Sequence, residues 1–304
     1  MKTLRRLALT ADAVALATIV LGSWTRINGA GETCPDWPLC HGSILPTMSD
    51  GTVWEWMHRL LAVSIAPLIV LLLVCAWRVR ARSPFITPIT LAIGVLFVVQ
   101  VLLGAATVQL ANSPISVVLH WGTAMAFVAT LSSMAIFAST APPPGERTDS
   151  LRSAPLCAAL LATASLAFIT MCIGAYVSAS GAGLACLSLA GCAGNVVVYS
   201  GGQAIQMLHR IAAGATLLGA AATLGLAWAR PASGRVRAFV SIGVALVCVQ
   251  VLLGLLNVAL RLPTELREAH AVNAAFTFLA FVIAMTLALL DSGITSAQPV
   301  TAGR

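Results

Sequence analysis

The 304-residue chain has only five histidines, and four of them fall in register: His58 and His209 lie 151 residues apart, His120 and His270 150 apart. Each stands in an apolar segment, where an ionisable side chain is a functional candidate by default. A pair of inward-facing imidazoles is a ligand set, and its surroundings select the metal. Zinc asks for four ligands or an open water position, yet neither pair has a second cysteine or a carboxylate cluster in its apolar segments. A porphyrin supplies four nitrogens itself and needs only one or two axial ligands and an apolar slot. The spacing therefore predicts two hemes, one between His58 and His120 and one between His209 and His270.

Around these histidines stand further groups. Glu55 precedes His58 by three residues, which puts both on one helix face; the corresponding residue before His209 is Gln206. Sites that match except at one ionisable group suggest reaction at the first and electron transfer at the second. Arg59 and Arg210 each follow a histidine and suit either heme propionates or lipid headgroups. Cys34/Cys40 and Cys186/Cys192 are paired at equal spacing in polar connections. Their C-x5-C spacing is not the C-x-x-C of thioredoxin-like redox sites, which favours a structural disulfide over a thiol redox pair. Cys75, Cys157, Cys172 and Cys248 stand singly in apolar runs and behave as small apolar residues. His41 follows Cys40 without a counterpart and reads as a loop residue.

The elements that position these groups are membrane spans. Apolar residues make up 59% of the chain and charged residues 9%, against about 25% charged in soluble domains. Residues 83–145 and 153–209 contain no Asp, Glu, Lys or Arg, and each run is long enough for two crossings of about 20 residues. The pattern predicts an all-α integral membrane protein with eight transmembrane helices, near 7–27, 53–77, 86–110, 117–140, 154–178, 202–228, 238–260 and 268–290. Twelve of the 17 Lys and Arg residues then fall on one side, in the N-terminus, the tail and alternate connections. By the positive-inside rule that side is cytoplasmic. Both termini are thus expected inside and the cysteine-bearing loops outside. With the basic residues dispersed this way, the net charge of +7 reflects topology and offers no tract for nucleic acid. Lys2, Arg5 and Arg6 before an apolar stretch resemble a signal peptide, but no small-residue cleavage site ends it. It reads as a retained first helix in a prokaryotic plasma membrane.

The chain is also a tandem repeat. "GSWTRINGAGETCPDWPLC" at 22–40 matches "GAYVSASGAGLACLSLAGC" at 174–192, and "EWMHRLLA" at 55–62 matches "QMLHRIAA" at 206–213. "VVQVLLGAATVQLANSP" from 98 matches "CVQVLLGLLNVALRLP" from 248. Four helices per unit is an even number, so both units insert in the same direction, as two four-helix bundles related by a pseudo-two-fold along the membrane normal. The expected halves are 1–140 and 154–291, joined by a Pro-rich linker at 141–153 and followed by a tail at 292–304. Gln100 and Gln250 recur mid-helix and read as interhelical hydrogen-bonding groups. Asp12 has no repeat partner.

These motifs, "GSWTRINGAGETCPDWPLCHG", "EWMHR" and "VVLHWGTAMAF" with their echoes, closely resemble the heme A synthase family over about residues 20–285. The resemblance implies oxidation of the C8 methyl of heme O to a formyl group, giving heme A for terminal oxidases. It implies that the first half holds substrate heme between His58 and His120 and that Glu55 takes part in the oxidation. It implies heme b as cofactor between His209 and His270, and a Cys34–Cys40 disulfide beside the substrate site. Membrane lipid, a transient heme O synthase partner, an unidentified electron donor and a homo-oligomer are the partners that such a role would bring. The residues alone also admit a di-heme b-type cytochrome that only transfers electrons, for example from quinol, which leaves the Glu55/Gln206 difference without a reason. A transporter with proton-relaying histidines would call for broken helices and mid-membrane charges.

Overall fold

The computed structural model describes residues 1–49, 51–139, 150–188, 191–192 and 199–292. Eight helices among them are long and apolar enough to cross a membrane: α1 (Lys2–Ile27), α2 (Thr52–Val79), α3 (Ile86–Gln109), α4 (Pro114–Phe137), α5 (Ser150–Ala179), α6 (Gly201–Ala229), α7 (Gly234–Ala259) and α8 (Thr264–Asp291). The protein is an all-α, multi-pass membrane protein built as two tandem four-helix bundles.

Within the first bundle α1 packs on α2 and α4, and α3 on α4 and α2; α5–α8 repeat the arrangement. The bundles join through α1, α4, α5 and α8, so α4 and α8 are the most enclosed helices. Both feed one buried apolar core, α4 with Met125, Phe127, Val128, Leu131 and Met134 and α8 with Phe278, Phe281, Val282 and Leu287. The outer helices α2, α3, α6 and α7 instead leave Leu71, Val95, Leu102, Leu218 and Leu252 exposed, as lipid-facing surface requires.

Duplication is visible in the backbone. The α3–α4 and α7–α8 turns each contain two consecutive non-glycine residues at positive φ, Ala111 and Asn112 in one and Arg261 and Leu262 in the other. Equivalent bonds close both turns, Asn112 N–H to Thr107 O at 2.9 Å and Leu262 N–H to Asn257 O at 2.8 Å. The two bundles touch near the axis relating them, where Arg26 donates to Ser178, its own counterpart 152 residues on, at 3.0 Å. There Ser23 of α1 also donates to buried Glu268 of α8 at 2.7 Å.

Several helices begin earlier than hydropathy predicts. α4 starts at Pro114 behind Ser113, because proline at the first helical position loses no hydrogen bond. α8 likewise starts at Thr264 behind Pro263, and α1 at Lys2, since its basic first turn is no obstacle to helix formation. α5 begins at Ser150, within the expected 141–153 linker; the first part of that linker, residues 141–149, and the tail from 293 lie outside the described residues.

Candidate heme sites

Each predicted ligand occupies a seat on the helix beside it. His58 of α2 lies across α1, with Nδ1 3.0 Å from the carbonyl oxygen of Thr18. His209 of α6 lies across α5, with Nδ1 3.2 Å from the carbonyl oxygen of Thr170. Four residues further along each of those helices is a glycine. A methyl group on Gly22 would lie 2.5 Å from Cε1 of His58, and one on Gly174 2.8 Å from Cε1 of His209. The repeated "TIVLG" and "TMCIG" are thus notches: a carbonyl fixes the ring by Nδ1, which leaves Nε2 for a metal, and the missing Cβ lets the ring lie flat.

His120 and His270 have related seats on α3 and α7. A methyl on Gly104 or Gly254 would approach Cε1 of His120 or His270 to 3.3 Å. Their Nδ1 atoms are buried without partners, so these two rings are held by packing and not by a carbonyl. The rings of His209 and His270 have centroids 6.3 Å apart. Two imidazoles each binding one metal at about 2.0 Å place their centroids roughly 6 Å apart, so the pair fits a single iron between them. Among the described residues no three His, Cys, Asp or Glu side chains converge on a point, and a bare ion would have no full ligand set.

Gly174→Ala is expected to lift His209 off its seat. Overpacking costs about 1–3 kcal/mol, where alanine in place of glycine inside a helix ordinarily gains about 1 kcal/mol. The expected outcome is at least a halving of heme bound per polypeptide. Gly214→Ala adds a methyl that meets nothing within 4 Å and should leave it unchanged. Pyridine hemochrome spectra of the two purified variants provide the check.

Over the histidines lies a disulfide-closed loop in each half. Cys34–Cys40 and Cys186–Cys192 are both bonded, with Cα atoms 4.6 and 4.5 Å apart. Glu55, 4% exposed, anchors the first loop: Oε2 accepts from the Cys34 N–H at 2.9 Å and the Thr33 hydroxyl at 3.0 Å. Gln206 does the same in the second, with Oε1 accepting from the Cys186 N–H at 2.5 Å and Nε2 donating to the Gly183 carbonyl at 2.7 Å. Arg59 donates to the carbonyls of Asp36, Leu39 and Cys34 and, at 2.7 Å, to Oε1 of Glu55. Arg210 donates to the carbonyls of Ser188, Gly191 and Cys186. The two arginines clasp their own loops. The anchors differ in chemistry: Glu55 is a carboxylate that pairs with Arg59 and also accepts from Thr33, whereas Gln206 is an amide that bonds the backbone at Cys186 and Gly183.

Elsewhere in the first loop Asp36 accepts from the N–H groups of Gly42 at 2.8 Å and His41 at 2.6 Å. The Gly42 bond foremost, and the His41 bond after it, hold this carboxyl below its ordinary range. His41 is a loop residue, its Nε2 2.8 Å from the Thr33 carbonyl oxygen. Asp12, for which the sequence offered no role, accepts from Ser132 at 2.8 Å and ties α1 to α4. Sequence reasoning missed the glycine seats and the loop-clasping use of the arginines. The signal for the seats was present as two repeated glycine registers, but 24 glycines in the chain obscure it.

Comparison with known proteins agrees with this architecture. A family model described as COX15-CtaA, cytochrome oxidase assembly protein, matches residues 5–52 and 49–282. A protein of Symbiobacterium thermophilum named heme A synthase is 31% identical over 226 residues, 70% of this chain and 72% of its own length. Proteins of the same name from Shewanella oneidensis and Shouchella clausii are each 28% identical, over 88% and 70% of this chain and 91% and 72% of their own. With the family model spanning nearly all eight helices, this chain belongs to the COX15-CtaA family of cytochrome oxidase assembly proteins.

Proposed function

We propose that the chain is a membrane oxidoreductase that converts the C8 methyl of heme O to a formyl group, yielding heme A. The half at 1–140 holds the substrate between His58 and His120, and the half at 154–291 holds heme b between His209 and His270. The observation that carries this assignment is the ionisable anchor of the first loop, Glu55 paired with Arg59, where the corresponding anchor of the second is the amide of Gln206. Since an amide holds the loop as well as a carboxylate does, loop architecture does not account for the acid in the first half. A reaction does.

Turning a methyl into a formyl group removes protons and electrons from carbon and installs oxygen. Heme b, when bound, supplies one-electron transfer. The electrons leave to an external acceptor and the oxygen enters from an external source, while this chain's own residues bind, orient and move protons. His58 is oriented by the Thr18 carbonyl and Gly22, and His120 by Gly104. The disulfide loop covers that end of the bundle and limits water. Glu55 takes up a proton or faces developing positive charge, and Arg59 steadies its ionised form across 2.7 Å. The basic end of the molecule lies in the cytoplasm and the cysteine loops outside it, where an oxidising compartment sustains both disulfides. A heme O-producing enzyme hands over the substrate, and a separate donor or acceptor serves heme b.

The test is to purify the protein from cells with and without heme O synthase and to separate its pigments chromatographically. Heme A and heme O should accompany heme b only where heme O is made. Heme b alone under both conditions would reduce the protein to an electron-transfer cytochrome.

A further inference from the structure

Glu55/Gln206 is not the only place where the halves diverge beside a ligand. In the second half Gln250 of α7 is tied at both ends: its Nε2 donates to the His270 carbonyl at 3.0 Å, and its Oε1 accepts from Asn273 at 2.7 Å. Asn273 is itself fixed, donating to the Leu246 carbonyl at 2.9 Å. In the first half the counterpart of Asn273 is Thr123, and the lock is missing. Gln100 Oε1 is buried with no hydrogen-bond partner, and its Nε2 makes only a long 3.4 Å approach to Nε2 of His120. A buried acceptor left unmade costs about as much as a lost hydrogen bond. A free amide next to an axial ligand is therefore a binding group awaiting a donor.

The chemistry of the substrate identifies that donor. This step rests on the proposed function. Methyl, vinyl and isoprenoid groups offer no hydrogen bond, and ionised propionates only accept. Heme O differs from heme b in carrying a hydroxyethylfarnesyl arm, whose hydroxyl is the one donor among its substituents. We propose that Gln100 is the specificity residue of the first site, its buried amide accepting from the hydroxyl of that arm. Gln250, closed off by Asn273, presents no such acceptor, which suits a second site that takes heme b. A site built to pair a hydroxyl discriminates against an analogue lacking it, because its own polar group is then left unpaired.

The experiment uses full-length protein in lipid nanodiscs with the second site filled by heme b. The first site is titrated with heme O, heme A and heme b. Heme A retains the arm's hydroxyl and should bind like heme O. Gln100→Leu is expected to lower the preference for both over heme b by about tenfold or more, with the b-type spectrum of the second site and the thermal midpoint unchanged. Asn273→Thr, which copies the first half, is expected to release Gln250 and raise the second site's acceptance of heme O by a similar factor. It answers alone if the leucine variant does not fold. A Gln100→Leu protein that keeps the wild-type preference overturns this assignment while leaving the function intact. A wild-type first site with no preference for heme O overturns both.

Discussion

Glu55→Gln is expected to leave both hemes in place and to cut formyl formation by at least about 100-fold, the scale of removing a general acid or base. Heme O, or a hydroxylated intermediate, should accumulate in the purified protein. The expectation is sharp because the second half already contains the substitution: Gln206 accepts from the Cys186 N–H as Glu55 does from that of Cys34. Glutamine at 55 therefore keeps the loop closed, and what disappears is the negative charge facing Arg59 at 2.7 Å. Glu55→Ala is the contrasting variant. It strands the Cys34 N–H, the Thr33 hydroxyl and one Arg59 donor, at roughly 1–3 kcal/mol for each group left buried, so heme content falls together with activity. Pigment analysis separates the cases, and a normal heme A yield from Glu55→Gln would remove Glu55 from the chemistry.

Much of this arrangement was legible before any coordinates. Eight spans followed from long apolar runs poor in charge, because water-free surroundings leave a chain few alternatives to helix. The repeat and its four histidines followed because ionisable residues are rare enough in such runs to stand out. What stayed hidden depends on contacts between helices that no periodicity records. The loop carbonyls that surround Arg59 and Arg210 are brought there by the loop fold, which no residue spacing announces. The imidazoles seated on Gly22 and Gly174 come from neighbouring helices, a contact no pattern within one helix announces. The lock of Asn273 on Gln250 needed the α7–α8 packing, since asparagine against Thr123 is an unremarkable difference in sequence. Glu268 was unassigned for the same reason, its partner Ser23 being 245 residues away.

The second large effect concerns the division of labour between the bundles. His270→Ala is expected to remove the b-type pigment while the first site still holds heme O, and to stop heme A formation for want of an electron path. His120→Ala is expected to do the converse, keeping heme b and losing heme O and heme A. Of each pair these are the ligands to replace, because their Nδ1 atoms have no partner whereas His58 and His209 are steadied by backbone carbonyls. Truncating them removes a proposed heme ligand without freeing a carbonyl inside the helix layer. His270→Met adds a graded test: a ring-sized flexible thioether across from His209, whose centroid lies 6.3 Å from that of His270, retains a sixth ligand and raises the reduction potential of the site, as methionine–histidine ligation does in cytochromes. Reduced-minus-oxidised spectra, pigment chromatography and a redox titration read out all three. If His120→Ala and His270→Ala lost the same pigments in the same proportion, the two bundles would be interchangeable, and the carboxylate that distinguishes them would have to be explained some other way.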